Sequence, residues 1–144
     1  MGRSGVGKTS YINRLVYGEF SSVQNRTSFH LGTTAGLVCF ELIKADVDTE
    51  HDGVDAAIYM FDLSGDEHVM DDFRKMNHTI PTIVCQNKFD LRRKAGKSDM
   101  CMLIGDVPYY EISTLPCYNI AKPLIAIMRK LIDPTANLLD CDTA

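Results

Sequence analysis

Gly2-Arg3-Ser4-Gly5-Val6-Gly7-Lys8-Thr9 satisfies the spacing G-x-x-x-x-G-K-[ST] without a mismatch, the pattern of a loop that cradles phosphates. Glycines at those positions let backbone N–H groups turn inward around an anion. Lys8 brings a point charge to the β and γ oxygens, and Thr9 offers its hydroxyl to Mg2+. Tyr11, Ile12, Leu15 and Val16 then recur at the spacing of one helix face. A helix therefore starts at the loop, with Ser10 in its first turn and the positive end of its dipole toward the anion.

A second constellation is Asn87-Lys88-Phe89-Asp90, of the form N-K-x-D, directly after an apolar run. The carboxyl end of a strand is where an open α/β sheet binds ligand. A carboxylate at Asp90 can accept two hydrogen bonds from guanine's ring N–H and exocyclic amine, a pairing adenine does not offer. Asn87 and Lys88 would brace this loop against the base and the phosphate loop. Phe20, twelve residues after Lys8, stands where an aromatic edge covers the guanine face. Ser113 and Thr114 stand where a later loop would close over the base.

The elements that must hold these groups are legible in outline. Leu37 to Leu42 reads as a strand, which Ile43 to Val47 either continues or partners. Ala56 to Phe61 is a continuous apolar run ending at Asp62, as expected of a strand buried on both faces of a parallel sheet. A helix is expected from Asp66 to about Met76 with Val69, Met70 and Phe73 on its apolar face, then a buried strand from Ile80 to Cys85 and a third over Tyr109 to Ile112. The last helix carries Ile120, Leu124, Ile125, Met128 and Leu131 on one stripe, with Asn119 as its N-cap. Strands alternating with helices imply a layered α/β fold. A buried strand ordinarily leads into a phosphate loop, and only Met1 stands before Gly2. Either residues ahead of Met1 supply that strand or the fold manages without it; if the chain is complete, the exposed edges imply low stability, a rearranged sheet or self-association.

Composition narrows the function classes. The chain has 144 residues, 15 Lys+Arg against 19 Asp+Glu, and a net charge of −4. No basic stripe is visible, which argues against direct nucleic-acid binding. Five cysteines without a CxxC pair indicate neither a disulfide framework nor a zinc site. Reduced thiols suit the cytosol or nucleus, and no signal peptide opens the chain. Its apolar runs fall far short of the roughly 18 residues a membrane span needs, so no membrane association is expected. The ending Cys141-Asp142-Thr143-Ala144 lacks the aliphatic pair and basic flank of a prenylation signal.

Taken together, these residues resemble the Ras superfamily of small GTPases, and within it the Ran family. Gly2 to Thr9 resembles the first motif, Asn87 to Asp90 the fourth, and Glu111-Ile112-Ser113-Thr114 a weaker form of the fifth. The Ran likeness rests on Gly18-Glu19-Phe20, Leu31-Gly32, Ile58 to Asp62, Tyr109 to Ser113, Tyr118 to Pro123 and Arg129 to Ile132. The resemblance implies a three-layer P-loop fold with a mostly parallel sheet, here without its usual first strand and without the switch II helix. The small G-domain would span residues 1–134, with 135–144 as a short tail.

Departures from the family pattern bear on catalysis. Small GTPases carry D-T-A-G-Q after the third strand, where the Gly amide senses the γ-phosphate and the Gln positions water. Here only Asp48-Thr49-Glu50-His51 stands in that region, with no D-x-x-G and no Gln. His30 replaces the switch I threonine expected before Leu31-Gly32, and Thr27, Thr33 and Thr34 do not match its position. Ran's basic cluster ahead of the last strand and its acidic tail have no counterpart. The resemblance therefore implies GTP or GDP with Mg2+ as ligands, with Thr9 on the metal. It also implies a guanine-nucleotide switch of the cytosol or nucleus with slow or no hydrolysis. Its partners would be transport receptors and an exchange factor. The alternative is a degenerate GTPase that competes for the partners of a true one, and no catalytic residue is assigned. A kinase for adenine nucleotides is disfavoured by N-K-x-D.

Overall fold

A computed structural model describes residues 1–2, 6–16, 26–45, 53–61, 69–75, 79–87, 106–114 and 118–139. The elements in chain order are α1 (Lys8–Val16), β1 (Arg26–Thr33), β2 (Gly36–Ile43), β3 (Ala57–Phe61), α2 (Val69–Lys75), β4 (Thr82–Gln86), β5 (Tyr109–Glu111) and α3 (Lys122–Leu131). Strands β3, β4 and β5 form a parallel sheet in that order, with Tyr59 opposite Val84 and Cys85 opposite Tyr110. Every residue of β4 is buried. Ile83, Val84 and Cys85 supply the apolar centre that burial on both faces requires, between the buried polar ends Thr82 and Gln86.

The two faces carry separate cores. On one, Val6, Tyr11, Met60, Ile83, Cys85 and Ile112 pack with Leu15, Ala126 and Ile127, so α1 and α3 cover that side. On the other, Ala57, Tyr59, Phe61, Val84 and Tyr109 pack together, and the Tyr59 hydroxyl lies 3.5 Å from a carboxylate oxygen of Asp72 on α2. The described residues thus form a small α/β fold with helices packed against a parallel three-stranded sheet. The Tyr11 hydroxyl donates to the Ile120 carbonyl at 2.8 Å, and burial pushes its pKa well above the ordinary tyrosine value.

β1 and β2 form an antiparallel hairpin whose register runs from Arg26 opposite Ile43 to Thr33 opposite Gly36. Thr34 and Ala35 make the turn. Gly36 takes φ +102° there, a conformation open to residues without a Cβ. The Thr33 hydroxyl donates to the Gly36 carbonyl at 2.7 Å and accepts from the Ala35 N–H at 3.1 Å. The hairpin's partly buried Phe29, Leu31 and Val38 meet Phe40, Leu124, Met128 and Ala136 in a third cluster. Residues 135–139, expected as a tail, lie along this hairpin: Leu139 N–H donates to the Gly32 carbonyl at 3.0 Å and Thr34 N–H to the Asn137 carbonyl at 2.9 Å.

Several sequence expectations are corrected. β2 stops at Ile43 instead of running to Val47, and its partner lies upstream in β1, which the sequence reading did not recognise as a strand. Asn119 does not cap the last helix; the capping position is Ala121, with no side-chain cap bond. Asn119 instead adopts φ 57° and donates from its amide to the Glu111 carbonyl at 3.0 Å. Leu131, expected on the apolar stripe, is 44% exposed, whereas α3 buries Pro123, Leu124 and Met128. The helix expected from Asp66 is α2 from Val69 onward, residues 62–68 lying outside the described residues.

Met1 pairs with β3 as a neighbouring parallel strand would. Met1 N–H donates to the Ile58 carbonyl at 2.6 Å, and Met60 N–H donates to the Met1 carbonyl at 2.8 Å. That alternation about Tyr59 is parallel pairing. Gly2 N–H donates on its other side to the Ala45 carbonyl at 3.1 Å. Met1 and Gly2 thus link the segment after β2 to β3, joining hairpin and parallel sheet.

Leu124 is fully buried and Leu37 is 74% exposed, so Leu124→Ala should destabilise the chain by about 2–5 kcal/mol and Leu37→Ser by within about 0.5 kcal/mol, measured by urea unfolding. Cys85 is fully buried and burial pushes its thiol pKa up, while Cys39 is exposed. Iodoacetamide followed by peptide mapping should label Cys39 on the native chain and Cys85 only after unfolding.

Candidate functional site

Parallel pairing brings the carboxyl ends of β3 and β4 and the step after β5 to one edge. Asn87 N–H donates to the Phe61 carbonyl at 2.7 Å, and Ile112 N–H to the Gln86 carbonyl at 2.8 Å. Asn87 and Ser113 therefore stand on the edge where Gly2 enters the phosphate loop. This is the edge at which open α/β sheets bind ligand. A hollow lined by Ile80, Pro81, Thr82, Asp106, Val107 and Lys130 lies at the opposite ends of these strands and contains none of the motif residues.

The two sequence motifs meet directly. Asn87, fully buried, donates from Nδ2 to the Val6 carbonyl at 2.9 Å across 81 positions of sequence. Because the partner is a carbonyl, the orientation of the amide is fixed by its donor side. Its Oδ1 is buried with no hydrogen-bond partner among the described residues, an acceptor that costs free energy until something donates to it. Gly7, at φ +103°, has no room for a side chain: a Cβ there would lie 2.1 Å from Asn87 Nδ2. Gly2 is similarly confined, since a Cβ would lie 2.5 Å from the Met60 carbonyl oxygen.

The helix begins as the motif requires. The Gly7 carbonyl accepts from Tyr11 N–H at 2.9 Å, so the amides of Lys8, Thr9 and Ser10 belong to the first turn and have no intrahelical acceptor. Lys8 Nζ donates to the Gly2 carbonyl, and to the Ala45 carbonyl at 3.2 Å. Its head thus lies across the mouth of the loop. Lys44, directly after β2, donates from Nζ to the Thr9 hydroxyl at 2.9 Å. The Lys44 ammonium thus lies at the first turn of α1, where the helix dipole favours negative charge.

Of the candidate residues, Gly2, Val6, Gly7, Lys8, Thr9, Ser10 and Asn87 are gathered at the phosphate loop. Ser113 is buried and pairs with Tyr118 through backbone bonds of 3.1 and 2.8 Å, with Thr114 buried beside it. The loop after β5 is thereby closed on itself. Arg3, Ser4, Gly5, Phe20, Lys88 and Asp90 lie outside the described residues, as does Asp48-Thr49-Glu50-His51. Thr33 and Thr34, weighed as substitutes for the switch I threonine, are used by the hairpin turn and by Asn137, whose N–H donates to Thr34 Oγ1 at 2.9 Å.

Sequence reasoning missed Lys44. The signal was available, since Lys44 is the first residue beyond the apolar pair Leu42-Ile43 and so stands at a strand's carboxyl end. The Mg2+ assigned to Thr9 from the motif does not fit this arrangement, because a lysine head already donates to the oxygen that would ligate it.

No family profile matches the chain, and no helix among the described residues is long and apolar enough to cross a membrane. The chain is similar to the GTP-binding nuclear protein GSP1 of Encephalitozoon cuniculi (strain GB-M1), 27% identical over 158 aligned positions that cover 90% of this chain and 72% of that protein. The likeness is distant, extends over nearly the whole chain, and agrees in kind with the Ran-like small GTPase that the motifs resemble.

Proposed function

We propose that this chain is a Ran-like guanine-nucleotide-binding protein of the nucleus or cytosol, acting as a switch with slow or no GTP hydrolysis. The observation that carries the reading is the bond from Asn87 Nδ2 to the Val6 carbonyl, which couples the base-recognition motif to the phosphate loop. The similar protein is by name a GTP-binding nuclear protein, which supports the same ligand class and the same compartment.

In this reading the first-turn amides of α1, the loop residues Ser4 and Gly5, and Lys8 hold the diphosphate. Asp90 accepts from the guanine edge, Lys88 and Phe20 flank the base, and Ser113 with Thr114 closes the pocket. The orphaned Asn87 Oδ1 accepts from a donor brought by the ligand or by the loop that settles on it. Hydrolysis needs more than binding: a water held in line and charge stabilisation realised only in the transition state. The missing D-x-x-G-Q removes the group that orients the water. The result is a binder whose turnover, if supplied at all, comes from a partner.

The position of Lys44 beside Thr9 favours a second reading, in which the chain holds one state and competes for the transport receptors or exchange factor of a true GTPase. Partner capture unaffected by nucleotide selects that reading, and capture that changes with GTP against GDP selects the switch.

Titration with fluorescent GDP, GTP and ATP analogues should show guanine-selective binding. Asp90→Asn should abolish the preference, and Lys8→Ala should weaken binding by roughly 10-fold or more, as loss of a charge-assisted contact implies. Equal binding of ATP and GTP contradicts the proposal. Gly7→Ala, which drives a Cβ to 2.1 Å from Asn87 Nδ2, should lower affinity for guanine nucleotide at least as far as Asn87→Ala does, with both variants checked for folding by circular dichroism.

A further inference from the structure

Thr9 carries the hydroxyl that the G-x-x-x-x-G-K-[ST] pattern assigns to a divalent cation. In the structure that oxygen accepts a hydrogen bond from Lys44 Nζ at 2.9 Å. Mg2+ demands oxygen ligands at about 2.0–2.1 Å in near-octahedral geometry. Placed on Thr9, it would stand within about 5 Å of the ammonium, the sum of that bond length and the hydrogen bond. The two cations would compete for the lone pairs of one hydroxyl and repel each other across a short gap.

Lys44 is also placed by more than its own side chain. It follows β2 directly, and the carbonyl of the next residue, Ala45, accepts from both Gly2 N–H at 3.1 Å and Lys8 Nζ at 3.2 Å. The backbone that carries Lys44 is thus tied to the entry of the phosphate loop. A nucleoside diphosphate at the first-turn amides would meet two ammonium groups and the helix dipole, each opposing its charge.

We propose that the ammonium of Lys44 takes the charge-neutralising place of a divalent cation, so that this chain binds guanine nucleotides without Mg2+. The proposal rests on the guanine-binding reading and specifies how the phosphates are neutralised. It also accounts for slow hydrolysis in physical terms. A lysine head offers donors in fixed number and no water-bearing coordination shell, so it holds the ground state without building the metal-bridged transition state.

The test is a titration of the full chain with a fluorescent GDP analogue in EDTA and in millimolar Mg2+. The expected result is an affinity that agrees within about twofold in the two buffers, while Lys44→Met, which keeps an unbranched stem, loses roughly 10-fold or more in EDTA. Lys44→Asp should lose more in EDTA and recover part of the loss on adding Mg2+. Wild-type binding that needs Mg2+ overturns the inference and leaves the guanine-binding reading standing, as does Lys44→Met binding like wild type in EDTA. Absence of guanine-nucleotide binding in both buffers overturns the reading and the inference together. The wild-type comparison decides the question even if neither variant folds.

Discussion

One buried amide holds the site together. Asn87 Nδ2 reaches the Val6 carbonyl from the end of β4, and the space it occupies is the space a Cβ on Gly7 would need. The phosphate loop cannot shift along the sheet without breaking that bond and exposing or orphaning a polar group, a penalty of about 1–3 kcal/mol in a buried setting. The glycine and the asparagine are therefore one device. The glycine admits the amide, and the amide fixes where the helix amides point.

The rest of the fold supplies the platform on which that device sits. Burial of every β4 residue fixes the height of Asn87, and the parallel step at Met1 and Gly2 fixes the entry of the loop between β3 and Ala45. The hairpin contributes through its end, where the chain leaving β2 delivers Lys44 and the Ala45 carbonyl to the loop. Because Gly2 and Lys8 both donate to Ala45, hairpin position and phosphate-loop geometry are mechanically coupled. An anion arriving at the first turn of α1 would be felt by β2 through the same contacts.

The sequence made the parallel sheet legible because burial on both faces demands apolar runs, and Ala56 to Phe61 and Ile83 to Cys85 are such runs. It made the phosphate loop legible because few residue types tolerate φ +103° beside a packed amide, and Gly7 is where the pattern requires one. β1 escaped for the opposite reason. Its inward positions are Thr27, Phe29, Leu31 and Thr33, only two of them apolar, and its burial alternates with exposure along the strand. Polar alternation of that kind does not distinguish a strand from a loop. Asn119 was misread because an asparagine ahead of a helix suits both a cap and a left-handed turn, and the tertiary contact to Glu111 selects the turn. Lys44 stands at a legible strand end, but its partner Thr9 lies 35 positions away, a proximity that only folding creates.

The proposed function requires the phosphate loop and the Asn87 edge to form one pocket for a guanine nucleotide. Amide hydrogen exchange on the intact chain, compared with no ligand, with GDP and with ADP, tests it most directly. GDP should slow exchange together in residues 6–16 and in the segment from β4 through Asn87, and ADP should leave both near their unliganded rates. Slowing by both nucleotides alike, or in one segment without the other, contradicts the claim.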